Sequence, residues 1–371
     1  MNKPAQALQL IPETLEIQPD LSERIRQPQA CPSDDAIGAD MLESLLRQRF
    51  DKPVDFPPVY QAVIPGDQVV IAVAPQTTCG FPIAMAAARL LVEQGMNATD
   101  ITLAMAREDR SDHGDALEDM TVIVFDPDDS TQRAYLMAGA DGQPVYISRL
   151  LFDADVVIPV GSFFGAIPRD TICPAFCDRE TRNWLSGLAG EMADATVNMI
   201  NEQLGSFWQI NVIDAPGARP VDLLVGSRRQ VLLENLQRAG EHWRIGVPGE
   251  CQLAMVTLES DADQSWENAA AALLTADRMA NRDGDIALIT RITDRPPGDW
   301  GESALIRELL GRRHVYLYSL AGRTSVESCG FAPVENAGEL DRLVRQYEHV
   351  SLVRDGHKTV LQPAAGKTRP R

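Results

Sequence analysis

The sequence predicts an α/β protein of two domains, each built on a parallel-rich sheet, with a cleft between them. Three observations predict it. A chain of 371 residues exceeds what one hydrophobic core usually serves. From Met41 onward, short β-branched runs alternate with apolar helical stretches, the pattern of buried parallel strands joined by crossovers. A second alternating series starts near Cys251, just after Pro248, Gly249 and Glu250 mark a hinge. The expected boundaries are a poorly ordered arm at 1–40, a first domain at 41–248, a second at 249–362 and a basic tail at 363–371.

The arm is rich in Pro, Gln and Asp and has little periodicity. MLESLLRQRF then reads as a helix and VVIAVAP at 69–75 as a buried strand. Pro82 opens an apolar helix that Gly95 stops, and ITLAMA at 101–106 is the next strand. VIVFD at 122–126, PVYISRLL at 144–151 and DADVVIPVG at 153–161 continue the alternation. A helix at 193–204, the strand FWQINVID and a helix at 228–239 complete the first series. The second runs QLAMVTLE, a helix at 265–279, DIALITRI, a helix near 302–310 and HVYLYSL. Alternation on both sides of the hinge places the expected small-molecule site in the cleft.

Composition narrows the function classes. A formal net charge of -19 disfavours nucleic acid and anionic membrane surfaces as partners. No apolar run reaches the roughly 18 residues a membrane span needs, and the first twenty residues lack the apolar stretch of an export signal. The expected place is the cytoplasm. Cys31, Cys79, Cys173, Cys177, Cys251 and Cys329 are scattered, unlike a small disulfide scaffold, so reduced thiols are expected.

Ordered segments over about residues 60–345 carry a resemblance to a known family. GDQVVIAVAPQTTCGFPIAMAAARLLVEQGMNATDITLAMA is similar to that family's first strand, substrate-binding turn, helix and second strand. DGQPVYISRLLFDADVVIPVGSF resembles the approach to its catalytic loop, and VNMINEQLGSFWQINVIDAPGARPVDLLVGSRRQVLLENLQRA its domain-joining segment. SWENAAAALLTADRMANRDGDIALITRI and VYLYSLAGRTSVESCGFAPVENAGELDRLV resemble its second domain's cofactor-facing helix and closing elements. The family is the nickel-pincer lactate racemases. The resemblance implies a two-domain α/β fold and a nickel-pincer nucleotide tethered to a lysine. A histidine ligates the nickel, and two others exchange the substrate proton during racemisation of a 2-hydroxy acid.

At the positions that carry this chemistry the chain departs from the family. No lysine lies between Pro53 and His357, and no histidine between Gly114 and Glu241. The family's Asp-x-Thr-Arg turn, whose arginine grips the substrate carboxylate bidentately, is Pro75-Gln76-Thr77-Thr78 here, with Thr78 in the arginine's place. Its Gly-x-His-Arg turn is Arg107-Glu108-Asp109-Arg110, with Asp109 in the place of the basic histidine and Arg110 kept; His113 is close enough in sequence to substitute. An exposed carboxylate is a weak base near neutrality unless burial raises its pKa. The competing reading of Asp109, Asp112, His113 and Asp115 is a solvated loop. The central Ser-Gly-Gly-x-Lys run is replaced by 162–171, without the glycine pair or the lysine. Asn183 takes the place of the nickel histidine and is a poor transition-metal ligand. Beside Trp266, the family's glutamine and lysine become Glu267 and Ala270.

The resulting candidate set has Asp109 and His113 as catalytic residues. Thr77, Thr78, Arg110, Arg169, Asn183, Trp266 and Glu267 are the substrate-binding candidates, and no metal set is assigned. The cofactor stays unknown, because the resemblance implies the pincer while its tether and ligand are absent. Arg169, Arg179 and Arg182 with Arg110 are candidates to converge on an anion, against pairing with nearby acids. Cys173 and Cys177 lack the two-residue spacing of a zinc knuckle and read as buried or loop cysteines. Asp126-Pro127-Asp128-Asp129 reads as a polar turn capping a helix at Ser130 rather than a cation site. Trp184, Trp208 and Trp266 read as packing residues, and Gly161 with Gly165 matches no phosphate-loop spacing.

Three functional readings stand on this set. One is a divergent racemase relative binding a small 2-hydroxy acid or related organic anion, an isomerase if active. Another is a non-catalytic binding or assembly protein on the same scaffold. The third is an unrelated enzyme using Asp109, His113 or Glu267. Oligomeric state is not legible.

Overall fold

The computed structural model describes residues 8–11, 15–18, 21, 25–27, 37–75, 77–106, 120–139, 141–162, 170–188, 190–215, 219–246, 251–259, 264–293, 295–296 and 304–362. The chain forms two compact units, Ser33–Ala239 and Met1–Pro32 with Gly240–Arg371. Strands β1 (Leu8–Ile11), β2 (Leu15–Ile17) and β3 (Ile25–Arg26) belong to the second of these.

The 33–239 unit opens with helix α1 (Ala39–Asp51), strand β4 (Val69–Val73), helix α2 (Gly80–Glu93), and strands β5 (Ile101–Met105) and β6 (Thr121–Val124). It continues through β7 (Arg133–Ala138), β8 (Pro144–Ser148), α3 (Arg149–Asp153), β9 (Val156–Ser162), α4 (Arg179–Gly187) and α5 (Gly190–Gln203). The last elements are β10 (Trp208–Ala215), β11 (Arg219–Ser227) and α6 (Arg228–His242). The main sheet has the order β11-β10-β9-β4-β5-β6, parallel throughout except for the antiparallel β10–β11 pair.

Every side chain of β4 is buried, as its unbroken apolar run requires of a strand covered on both faces. Fully burying a Val or Ile contributes about 1.5–3 kcal/mol. Helix α2 is buried from Gly80 to Leu91 apart from Pro82 and Arg89. An apolar surface this wide makes it a core helix rather than a surface one. Pro82 sits in its first turn, where the missing N–H has no intrahelical partner to lose, and Gly95 at φ +100° ends it as the sequence suggests.

One stretch differs from its expected place. Residues 144–148 do not extend the parallel sheet. They pair antiparallel with β7 as a separate two-stranded ribbon. Val145 and Ile147 are buried while Tyr146 between them is half-exposed. This period-2 burial belongs to a strand with one solvated face.

The second unit contains β12 (Arg244–Gly246), β13 (Leu253–Thr257), α7 (Trp266–Met279), β14 (Asp285–Ile289), α8 (Ala304–Leu310) and β15 (Val315–Tyr318). After these come α9 (Arg323–Ser328), β16 (Ala332–Pro333), α10 (Ala337–Arg345), β17 (Val350–Val353) and β18 (Val360–Gln362). Its main sheet, β16-β15-β14-β13-β17-β3, is parallel throughout. Ser265 caps α7 by accepting from the Asn268 N–H at 3.2 Å.

Two boundaries fall elsewhere than the sequence suggests. The first 32 residues group with the C-terminal unit, where Leu10, Leu21 and Ile25 are buried in one core with Leu253, Ile289 and Leu352. Three apolar side chains without periodicity do not read as structure until their partners far along the chain are known. The division near the hinge falls at Ala239/Gly240 rather than at 248.

Candidate functional site

In a parallel sheet, ligands bind outside the carboxyl ends of the strands at the point where successive connections turn in opposite directions. In the 33–239 unit the chain runs from β4 through β5 to β6 on one side and then returns to β9 and β10 on the other. The switch therefore lies between β4 and β9. The segments leaving it are the turn after Val73 and the chain after Ser162.

The β4 turn is ordered by its own hydroxyls. Thr77 Oγ1 donates to the Ala74 carbonyl at 2.7 Å, and the Gly80 N–H donates to the Thr77 carbonyl at 3.0 Å. Gly80 is required by packing, since a Cβ there would lie 2.7 Å from Val73 Cγ1. Thr78 Oγ1 donates to Asp214 Oδ2 at 2.6 Å. Asp214 is buried on β10, directly after the strand's register shift at Ile213/Asp214. Next to Thr78, burial raises the Cys79 thiol pKa and the Asp214 carboxylate adds to the shift. Where the resembling family has a substrate-gripping arginine, this turn offers a hydroxyl engaged by an acid. Thr78→Val keeps the shape and removes the donor. It is expected to cost about 1.5–3 kcal/mol, read from the urea midpoint.

Beyond β9, Asp170 organises the described chain. Its Oδ1 accepts from the N–H groups of Ile172 and Cys173 at 2.9 and 2.8 Å. Its Oδ2 accepts from Asn201 Nδ2 at 3.2 Å and Arg228 Nε at 2.8 Å. Thr171 lies over Gly161, where a Cβ would come within 2.7 Å of its Oγ1. Sequence reasoning missed both Asp170 and Asp214. The only local signal for Asp170 is an acid two and three residues ahead of the N–H groups it accepts from, an Asx-type turn.

The other candidates divide as follows. Asp109, Arg110, His113 and Arg169 lie outside the described residues. Asn183 is an exposed residue of α4, a helix capped by the buried Asp178, which accepts from the Thr181 N–H at 2.9 Å and pairs with Arg133 at 2.9 Å. Trp266, in the other unit, is buried in a core cluster with Leu258, Ala269 and Ile292. Glu267 lies on α7, and its side chain is outside the described residues. Among the described residues, Thr77 and Thr78 are thus the sequence candidates at the switch point.

Arg179 and Arg182 do not join on an anion. Arg179 Nε donates to Asp128 Oδ1 at 2.7 Å, and Arg182 Nε to the Cys177 carbonyl at 2.8 Å with its Nη2 on the Ala175 carbonyl. The bond to Arg179 lowers the Asp128 pKa. The 126–129 acids form a capped turn, with the Asp128 N–H on Asp126 and the Thr131 N–H on Asp129. Among the described residues, no three His, Cys, Asp or Glu side chains come together in a way that would hold a metal, and no helix is long and apolar enough to cross a membrane.

No protein-family model matches the sequence, and no curated protein matches it. The fold is similar to that of solved structures. Lactate racemase apoprotein from Thermoanaerobacterium thermosaccharolyticum superposes with a TM-score of 0.69 at 12% identity, over 96% of this chain and 99% of that one. A protein from Thermotoga maritima gives 0.62 at 10% identity, over 90% of this chain and 100% of that one.

Proposed function

From a chain that has the fold of lactate racemase apoprotein, we propose a divergent relative that binds a small 2-hydroxy acid or related organic anion. The site is the switch point of the 33–239 sheet. The observation that carries this reading is the placement of Thr77 and Thr78 there, at the turn where the family holds its substrate. The turn supplies hydroxyls and no cation, so the ligand's counter-charge falls to Arg110 and Arg169. The expected compartment remains the cytoplasm.

The residues present do not fit a tethered nickel-pincer group. The chain has no lysine between Pro53 and His357 to form the tether. The nickel histidine's place is an exposed asparagine, and the described switch-point groups are hydroxyls, a half-buried thiol and a carboxylate rather than imidazoles. No step is derived through that group. Binding without turnover is the second reading, favoured by the Thr78–Asp214 hydrogen bond that replaces the carboxylate grip.

Two measurements test the proposal. Intact mass and elemental analysis of the purified protein are expected to show neither a covalent adduct nor stoichiometric nickel; either one restores the pincer mechanism. In a thermal-shift series of 2-hydroxy acids, a ligand at about 100 times its Kd stabilises by about 2.7 kcal/mol. That is a rise of about 5–10 °C for a unit of this size. Arg110→Ala and Arg169→Ala are expected to reduce the rise. An unchanged rise in both variants rules out the assigned anion site.

A further inference from the structure

Two thiols that the proposed site does not use lie against each other in the core of the 33–239 unit. Cys173 Sγ and Cys177 Sγ are 3.5 Å apart, at 2% and 0% exposure, and both are free. The backbone holds them there without help from the sulfurs. The Cys173 N–H is fixed on Asp170 at 2.8 Å and the Cys177 N–H on the Pro174 carbonyl at 3.0 Å. The Cys177 carbonyl accepts from Arg182, and Cys177 also bridges to Ile147 of β8.

We propose that Cys173 and Cys177 are a reversible redox pair that closes to a disulfide in the presence of a small disulfide oxidant of the oxidised-glutathione class. The sulfurs need to approach by about 1.5 Å to reach bonding distance. Both ends of the turn are already fixed, so little chain entropy opposes closure. The exchange proceeds in two displacements. One cysteine, as thiolate, attacks an oxidant sulfur, forming a mixed disulfide and releasing one small thiol. The second cysteine, as thiolate, then attacks the first cysteine's Sγ, forming the Cys173–Cys177 bond and expelling the other small thiol. Two electrons pass to the oxidant, and the two thiol protons leave on the released thiols.

Burial sets the rate in both directions. The contact with Cys177, and then desolvation, hold the Cys173 thiol well above its usual pKa. Attack therefore waits on local opening, and closure is expected over minutes to hours rather than seconds. The same burial shields the finished bond from reductant.

The test uses the full chain, incubated natively with excess oxidised glutathione, quenched, unfolded, alkylated and digested with trypsin. Cleavage after Arg169 and Arg179 releases residues 170–179, DTICPAFCDR, with both cysteines on one peptide. The expected result is that this peptide loses the mass of two hydrogens and both alkylation tags, and regains both tags after dithiothreitol. In Cys177→Ser the ring cannot close, and a glutathione adduct on Cys173 is expected instead. A wild-type peptide that stays doubly alkylated, or carries glutathione without an internal bond, overturns the proposal whether or not the variant folds.

Discussion

Asp170→Ala is expected to lower the unfolding free energy by about 3–5 kcal/mol, the range for breaking a buried ion pair from one side. The Asp170 and Arg228 side chains are 5% and 22% exposed and meet at 2.5 Å. Removing the carboxylate leaves a largely desolvated guanidinium facing no charge at that contact and strips the acceptor from the Ile172 and Cys173 N–H groups. Asp170→Asn separates the two contributions. An amide oxygen still accepts from the backbone but does not neutralise Arg228, so a loss close to that of alanine assigns most of the effect to charge. Urea titration reads this as a fall in midpoint at constant slope. A loss under about 1 kcal/mol, the size of an ordinary substitution, would show that Asp170 is not an organising residue.

The second large effect is expected at Gly226→Ala. A Cβ on Gly226 would lie 2.1 Å from the Val54 carbonyl oxygen and 2.6 Å from its nitrogen. Those are backbone atoms held on both sides, the Val54 N–H donating to the Val225 carbonyl at 2.7 Å and the Ser227 N–H to the Val54 carbonyl at 2.9 Å. No side chain can rotate to relieve the clash. The segment after α1 must pull away from β11 and lose both bonds, at a cost of about 3 kcal/mol. Scanning calorimetry is expected to show a drop of about 6–12 °C. A Tm unchanged from the parent protein would contradict this close backbone approach.

The strands that sequence reasoning read best are those whose meaning is local. The run at 69–73 is apolar at every position and that at 253–257 at every position but Thr257, and both are fully buried parallel strands. The run at 144–148 carries an alternation that an expectation of continued crossovers overrode. Residues 8–26 carry their apolar positions in runs of two to four residues, too short to establish a period, and their partners lie far along the chain. The same limit governs the site. The turn at Thr77 and Thr78 was singled out because a resemblance aligned it, whereas Asp214 gains its hydrogen bond from a threonine 136 residues away and Asp170 its ion pair from an arginine 58 residues away. Arg179 and Arg182 show the converse. Charge alone suggested a shared anion, but an exposed acid and the carbonyl oxygens of Ala175 and Cys177 lay nearer.

The placement of the first residues has a consequence for how the chain is made. Strand β3 completes its sheet only by pairing with β17, and the Gln18 N–H reaches Asp341 across a sequence separation of 323. The continuous 33–239 stretch holds all its own strands, so it can close while the ribosome is still elongating. The opening segment must wait until residues 341–353 have been made before its apolar side chains are covered. Leu10, Leu21 and Ile25 therefore stay uncovered on the nascent chain while the whole 33–239 unit is being made and closed.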